Sequence, residues 1–214
     1  MNMADVKSHD NTSWFYTDTV KDHFFNPRNL VKKDNEIEVK DFNGVGSVGS
    51  PACGDQMSLW LKIDENEIIK ECRWRCFGCA SAIASTSMLS VMITENGGMK
   101  INEAMKVKPQ DIVKRLDGLP ARKFHCSVLG DKALRAAIND YFKRSGQNEK
   151  VIVEGAKIVD KILKITDKDI EEAVLEGADT FEKVQKKTKV GISDKTCIPE
   201  VEQLIRFYKE RYFG

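Results

Sequence analysis

The chain has 214 residues, 41% of them hydrophobic and 31% charged, with 34 basic and 33 acidic side chains and a formal charge of +1. That length allows one good core, or one domain with a small second one. The charge balance excludes a dedicated nucleic-acid binder, which would carry a basic excess, and no apolar run approaches the roughly 18 residues of a membrane span.

The first ten residues have no apolar core and carry Asp5 and Asp10. They fit neither a secretory signal nor an Arg-rich transit peptide, so residues 1–13 are expected to be a disordered start and the protein to be cytoplasmic. Trp14 to Phe25 reads as an amphipathic helix with Phe15, Val20 and Phe24 on its apolar side, stopped by Pro27. Asn35 to Asp41 is mostly charged and reads as a loop or weak edge strand, and Gly44, Gly46 and Gly49 mark a turn-rich segment. Ser58 to Ile63 alternates, Asp64-Glu65-Asn66 makes a turn, and the next strand puts Cys72, Trp74 and Cys76 on one face,.

Ala80 to Thr94 reads as a helix ended by Gly97-Gly98. Pro109 opens another, closed by Gly118 and Pro120. Ser127 to Arg144 is a third, burying Leu134, Ile138, Tyr141 and Phe142,. Residues 146–154 read as a linker. Beyond it, Thr166 and Asp169 suit a capping box, Gly177 ends that helix, Thr180 starts the next, and Pro199 sits just inside a last one with Val201, Leu204, Ile205 and Tyr208 apolar,. The layout is an α+β domain over 14–145, with a small antiparallel sheet packed with helices, then a small all-helical domain over 155–214.

Six cysteines, Cys53, Cys72, Cys76, Cys79, Cys126 and Cys197, stand in what is expected to be a reducing compartment. Disulfides are disfavoured there, which leaves metal binding, redox chemistry or burial. Cys53 lies in a Gly-flanked loop, and Cys79 and Cys126 each immediately precede a predicted helix. A helix N-terminus favours the thiolate, the form that binds metal and attacks sulfur. His125 adjoins Cys126 and Asp55 lies two residues after Cys53, so thiolate, imidazole and carboxylate could converge on one metal. The gaps of 26 residues (53 to 79) and 47 residues (79 to 126) are too long for a ligand motif. On spacing, one shared site and separate buried thiols both stand. Cys76, in Cys76-Phe77-Gly78-Cys79, is assigned to packing beside Trp74. His9 and His23 read as surface or helix-packing residues, and Lys186 to Lys189 as a solvated face.

Three segments carry a resemblance: Pro51-Ala52-Cys53-Gly54-Asp55, Phe77 to Ser85, and His125-Cys126-Ser127. They resemble the signature segments of the IscU/NifU-type iron–sulfur cluster scaffold proteins. The likeness reaches back to Tyr16 and His23 to Asn29, and forward to Leu134 to Tyr141. It implies a transient [2Fe-2S] cluster on Cys53, Cys79 and Cys126, with zinc or iron as an alternative occupant. Asp55 would be a further ligand that keeps the site labile, and His125 an alternative ligand. Cys126 would accept persulfide sulfur from a cysteine desulfurase, with Lys123 close by. The implied role is a carrier rather than an enzyme, serving apo iron–sulfur proteins, and it is compatible with a homodimer sharing a cluster. Leu119 to Lys123 resembles the family's Hsp70-type chaperone-recognition stretch, departing from its Leu-Pro-Pro start at Ala121.

The alternative is a zinc-dependent sulfur acceptor that relays persulfide. That branch carries a long insertion between the second and third cysteines, whereas this chain has at most a few extra residues near Asn96 to Lys100. Residues 155–212 resemble the small helical [2Fe-2S] domain of bacterioferritin-associated ferredoxins and of NifU-type proteins, on Ile165 to Glu171 and Cys197 to Glu202. That family's C-x-C and C-x-x-C positions fall here on Asp160, Ile162, Asp194 and Cys197. One thiolate does not hold a cluster, so this unit is expected to keep the fold without one.

Overall fold

The computed structural model describes residues 16–33, 36–49, 55–120, 123–151 and 157–213. The chain divides into two compact units, Met1–Val151 and Ile152–Gly214.

In the first unit, helix α1 (Asp18–Phe25) is capped by Thr17, whose side chain accepts from the Val20 amide. It buries Val20 and His23 rather than Phe24. His23 is inside because its Nδ1 is hydrogen-bonded to Ser87 Oγ at 2.8 Å. Burial, then the Arg28 charge, lowers its proton affinity and keeps the ring neutral,. Val39–Asp41 forms a short 3₁₀ turn, within the segment read as loop or edge strand.

A four-stranded antiparallel sheet follows in the order β1-β2-β3-β4: β1 (Gly44–Gly49), β2 (Gln56–Ile63), β3 (Ile68–Phe77) and β4 (Met99–Lys100). Met57, Leu59, Leu61 and Ile63 are buried on one face of β2, as alternation requires,. A bulge opposite Lys62/Ile63 lets Ile69 share that face with Cys72 and Trp74 despite the odd spacing,.

The glycine-rich stretch read as turns is a strand, and packing explains why. A Cβ on Gly46 would sit 2.4 Å from Ala133 O, and one on Gly44 would sit 2.8 Å from Ala137 O. Both alanines belong to helix α5 (His125–Arg144), so the glycines let that helix lie directly on β1,. Beyond β2, strand β3 is flanked by the segment after α1: Leu30 bridges Trp74, and the indole Nε1 donates to Arg28 O at 2.7 Å.

Helix α2 (Ala80–Thr94) is buried at eleven of its fifteen residues, including Ser81, Ser85, Thr86, Ser87 and Ser90. It therefore has no solvent face, and most of its buried hydroxyls are hydrogen-bonded, while Ser85 Oγ has no partner among the described residues,. Thr86 Oγ1 donates to Ala82 O (2.7 Å), and Ser90 Oγ donates to Ser87 O (2.7 Å). Helices α3 (Ile101–Ala104) and α4 (Pro109–Arg115) complete the unit. Asn148–Lys150, inside the segment read as linker, forms a 3₁₀ turn whose Lys150 pairs with Glu67 at 2.8 Å.

Among its described residues the second unit holds a two-strand ribbon, β5 (Ile158–Asp160) with β6 (Ile165–Thr166), and the α-helices α6 (Asp167–Leu175), α7 (Phe181–Thr188) and α8 (Ile198–Phe213). Thr166 and Asp169 form the expected capping box. α8 buries Val201, Ile205, Tyr208 and Tyr212, with Leu204 half-buried. The ribbon adds strand structure to a unit read as all-helical. Each of its strands is too short to show a period in sequence.

Candidate metal centre

The strand β3 ends at Phe77, Gly78 turns the chain, and Cys79 becomes the N-cap of α2. An N-cap side chain faces unpaired backbone N–H groups, and the nearby Ala82 amide favours the Cys79 thiolate. Cys126 comes from the first turn of α5, inside the helix rather than before it. That helix opens at Phe124 with no side-chain cap, so no Ser, Thr, Asp or Asn marked its true start,. The two sulfurs are 3.4 Å apart. Asp55 enters from the residue before β2, and its carboxylate, Cys79 and Cys126 have ligand atoms within 4.8 Å of one another.

The sulfurs share a proton unequally. Cys79 is held as thiolate, its pKa lowered to about 5, first by the hydrogen bond from Cys126 and further by the Ala82 amide and the Lys123 charge. The Cys126 thiol is pushed the other way, first by its hydrogen bond with Cys79, then by burial and by the negative neighbours Cys79 and Asp55, which oppose a second charge. The exposures agree: Cys79 is half-buried and Cys126 is 0% exposed.

Asp55 is 6% exposed, and among the described residues its Oδ2 is buried with no hydrogen-bond partner. A carboxylate oxygen in that condition costs free energy unless a cation meets it. Two soft sulfur donors beside one hard oxygen donor are chemically suited to iron or zinc. The set therefore fits a metal.

Gly78 explains how the carboxylate reaches the thiols. A Cβ there would lie 2.9 Å from Asp55 Cγ and 3.0 Å from its Oδ1. Sequence reasoning gave Gly78 no role; its signal was a glycine directly before a helix-capping cysteine. Tyr16 is also close. Its hydroxyl is 3.0 Å from Ser81 Oγ, burial raises its pKa, and Cys79, Lys123 and Cys126 all act on it.

Of the residues singled out in sequence, Asp55, Cys79 and Cys126 are thus brought together, and the Lys123 charge acts on both thiols. Cys53 lies outside the described residues, as do His9, the side chain of His125, and Ala121 and Arg122 of the expected chaperone stretch. Cys76 is half-buried against the core, and Cys72 is buried with its thiol pushed up by desolvation. Neither belongs to the convergent group. Lys186, Lys187 and Lys189 are exposed, and Lys187 pairs with Glu176 at 2.5 Å.

Residues 15–148 match the NifU-like N terminal domain, and residues 163–206 match the BFD-like [2Fe-2S] binding domain. The iron-sulfur cluster assembly scaffold protein IscU of Aquifex aeolicus is 42% identical over 149 residues, covering 69% of this chain and 87% of that protein. One such IscU of Archaeoglobus fulgidus is 43% identical over 136 residues, 64% of this chain and 82% of its own. The nitrogen fixation protein NifU of a Nostoc species is 37% identical over 201 residues, covering 92% of this chain and 65% of NifU.

Proposed function

The chain belongs to the NifU-like N-terminal domain family, and we propose that it assembles an iron–sulfur cluster on its first unit and passes it to apo-proteins. The cluster is cargo, so the protein turns over as a carrier rather than as an enzyme. The observation that carries this reading is the convergence of Cys79, Cys126 and the unpartnered Asp55 oxygen. The proposed ligands are Cys53, Asp55, Cys79 and Cys126, with His125 as an alternative. A hard oxygen in a soft donor set makes a less matched site than four thiolates, which suits cargo that must leave.

Sulfur is proposed to come from a cysteine desulfurase in a reducing cytoplasm. The Cys126 thiolate attacks the outer sulfur of the desulfurase persulfide, the S–S bond breaks, and the desulfurase thiolate departs. Two electrons from a thiol or electron carrier then reduce the transferred sulfur to sulfide. In the resting arrangement Cys126 is buried and protonated, so delivery requires the first turn of α5 to open. That turn has no side-chain cap and no acidic residue, which leaves it weakly held,. Lys123, whose charge acts on both thiols, offsets the negative charge that accumulates.

The test is anaerobic incubation of the full chain with ferrous iron, cysteine and a cysteine desulfurase. Equal iron and sulfide, removable by chelator and lost in Cys79→Ala and Cys126→Ala, supports the scaffold. Tightly held zinc with no cluster, and faster desulfurase turnover, would make it a sulfur relay instead.

A further inference from the structure

The second unit matches a [2Fe-2S] binding domain over residues 163–206, yet its residues do not suit such a cluster. A protein holds a [2Fe-2S] centre with four donors, as a rule thiolates. The unit has one thiol, Cys197. It is buried and donates to Asp194 O at 3.0 Å. Burial and the carboxylates of Asp160 and Asp194 oppose its ionisation. Among the described residues, the convergent group of metal-ligating side chains lies in the first unit.

A different anion organises this region. Asp160, at the end of β5, is 0% exposed. Its Oδ1 accepts from the amides of Ile162 (3.0 Å) and Leu163 (2.9 Å), and its Oδ2 accepts from the amide of Gly191 (3.1 Å). A buried carboxylate met by several backbone N–H groups is stabilised as the anion. The contacts join the β5–β6 turn to the loop that follows α7 and leads to Cys197. Chain segments 31 residues apart are thereby tied through one carboxylate.

We propose that the second unit carries no iron–sulfur cluster and that the Asp160 carboxylate, bound by the amides of Ile162, Leu163 and Gly191, is the internal anion that holds its two loops together. The unit is then a module without a cluster of its own. This inference stands apart from the scaffold reading, since it concerns residues that the first unit does not use.

Two measurements on the full-length chain test it. In the first, a Cys79→Ala/Cys126→Ala chain is reconstituted anaerobically with ferrous iron and sulfide, with and without Cys197→Ser. No iron that depends on Cys197 is expected; iron and sulfide bound in the first form and lost in the second would overturn the cluster-free assignment. In the second, amide hydrogen exchange is compared between wild type and Asp160→Asn, with the α2 amides as internal reference. Exchange at Ile162, Leu163 and Gly191 is expected to quicken by about tenfold or more, with α2 unchanged. Unchanged exchange at those three amides would overturn the role given to Asp160, whatever becomes of the scaffold function.

Discussion

Replacing Gly78 with alanine puts a methyl group where the Asp55 carboxylate rests. The new Cβ would lie 2.9 Å from Asp55 Cγ and 3.2 Å from Ala82 Cβ. Carbon atoms settle at about 3.5–4.0 Å, so something must yield by roughly 0.6 Å. Ala82 is fixed in the first turn of the buried helix α2, whereas Asp55 stands in the lead-in to β2. The carboxylate is therefore the group that moves. Coordination distances tolerate only about 0.2 Å, so Asp55 would drop out of the ligand set. Affinity for zinc, used as a probe ion, should fall by about tenfold to a hundredfold, the range seen when groups that orient metal ligands are lost. The assay is competition with a chromophoric chelator, run on wild type, Gly78→Ala, Asp55→Ala and the double variant, with melting curves to monitor the fold. If Gly78 acts through Asp55, the glycine change costs nothing more once Asp55 is gone. Unchanged affinity in Gly78→Ala, or an equal loss in both backgrounds, would show that Gly78 does not act through Asp55.

Other outcomes concern the thiol pair and the packing of the first unit. In metal-free protein, the ultraviolet absorbance of the Cys79 thiolate should persist down to about pH 5 and vanish as pH falls through it. In Cys126→Ala, which removes the largest cause of the shift, the midpoint should rise toward the ordinary thiol value of about 8.5. Because the folded-state value is depressed, this thiolate stabilises the fold fully above the unfolded thiol's range and loses that contribution as pH falls toward about 5, which urea titrations across that window can read,. Gly46→Ala should destabilise the first unit by about 3 kcal/mol, since its Cβ would meet Ala133 O and Ala137 N at 2.4 Å; a lowered urea midpoint with unchanged slope is the check,. Ser87→Ala removes the partner of both His23 Nδ1 and the Arg28 amide and should cost about 1–3 kcal/mol by the same measurement,.

The helix-capping place of Cys79 could be read from the chain because local chemistry determined it. Cys79 directly before a run of small residues marks an N-cap, and the structure has α2 starting at Ala80. The alternation of Leu59, Leu61 and Ile63 disclosed the buried face of β2 for the same reason,. What stayed hidden depended on partners distant in sequence. Gly44 and Gly46 look like turn residues until α5 lies against them, and only then does the absence of side chains favour a strand. His23 gives no local sign of its buried place, because its partner Ser87 is 64 residues away. Gly78 and Asp55 are likewise matched across two strands, β2 and β3, a relation that spacing does not encode.

The most direct test of the account is cluster transfer. The full chain, loaded anaerobically by a cysteine desulfurase, is mixed with an apo-ferredoxin in the presence of a chelator that scavenges free iron, and circular dichroism follows the cluster. Its appearance in the ferredoxin, with matching loss of iron and sulfide from this chain and no transfer from Cys79→Ala, is what a scaffold produces. A chain that holds zinc throughout, or iron that reaches only the chelator, would contradict it.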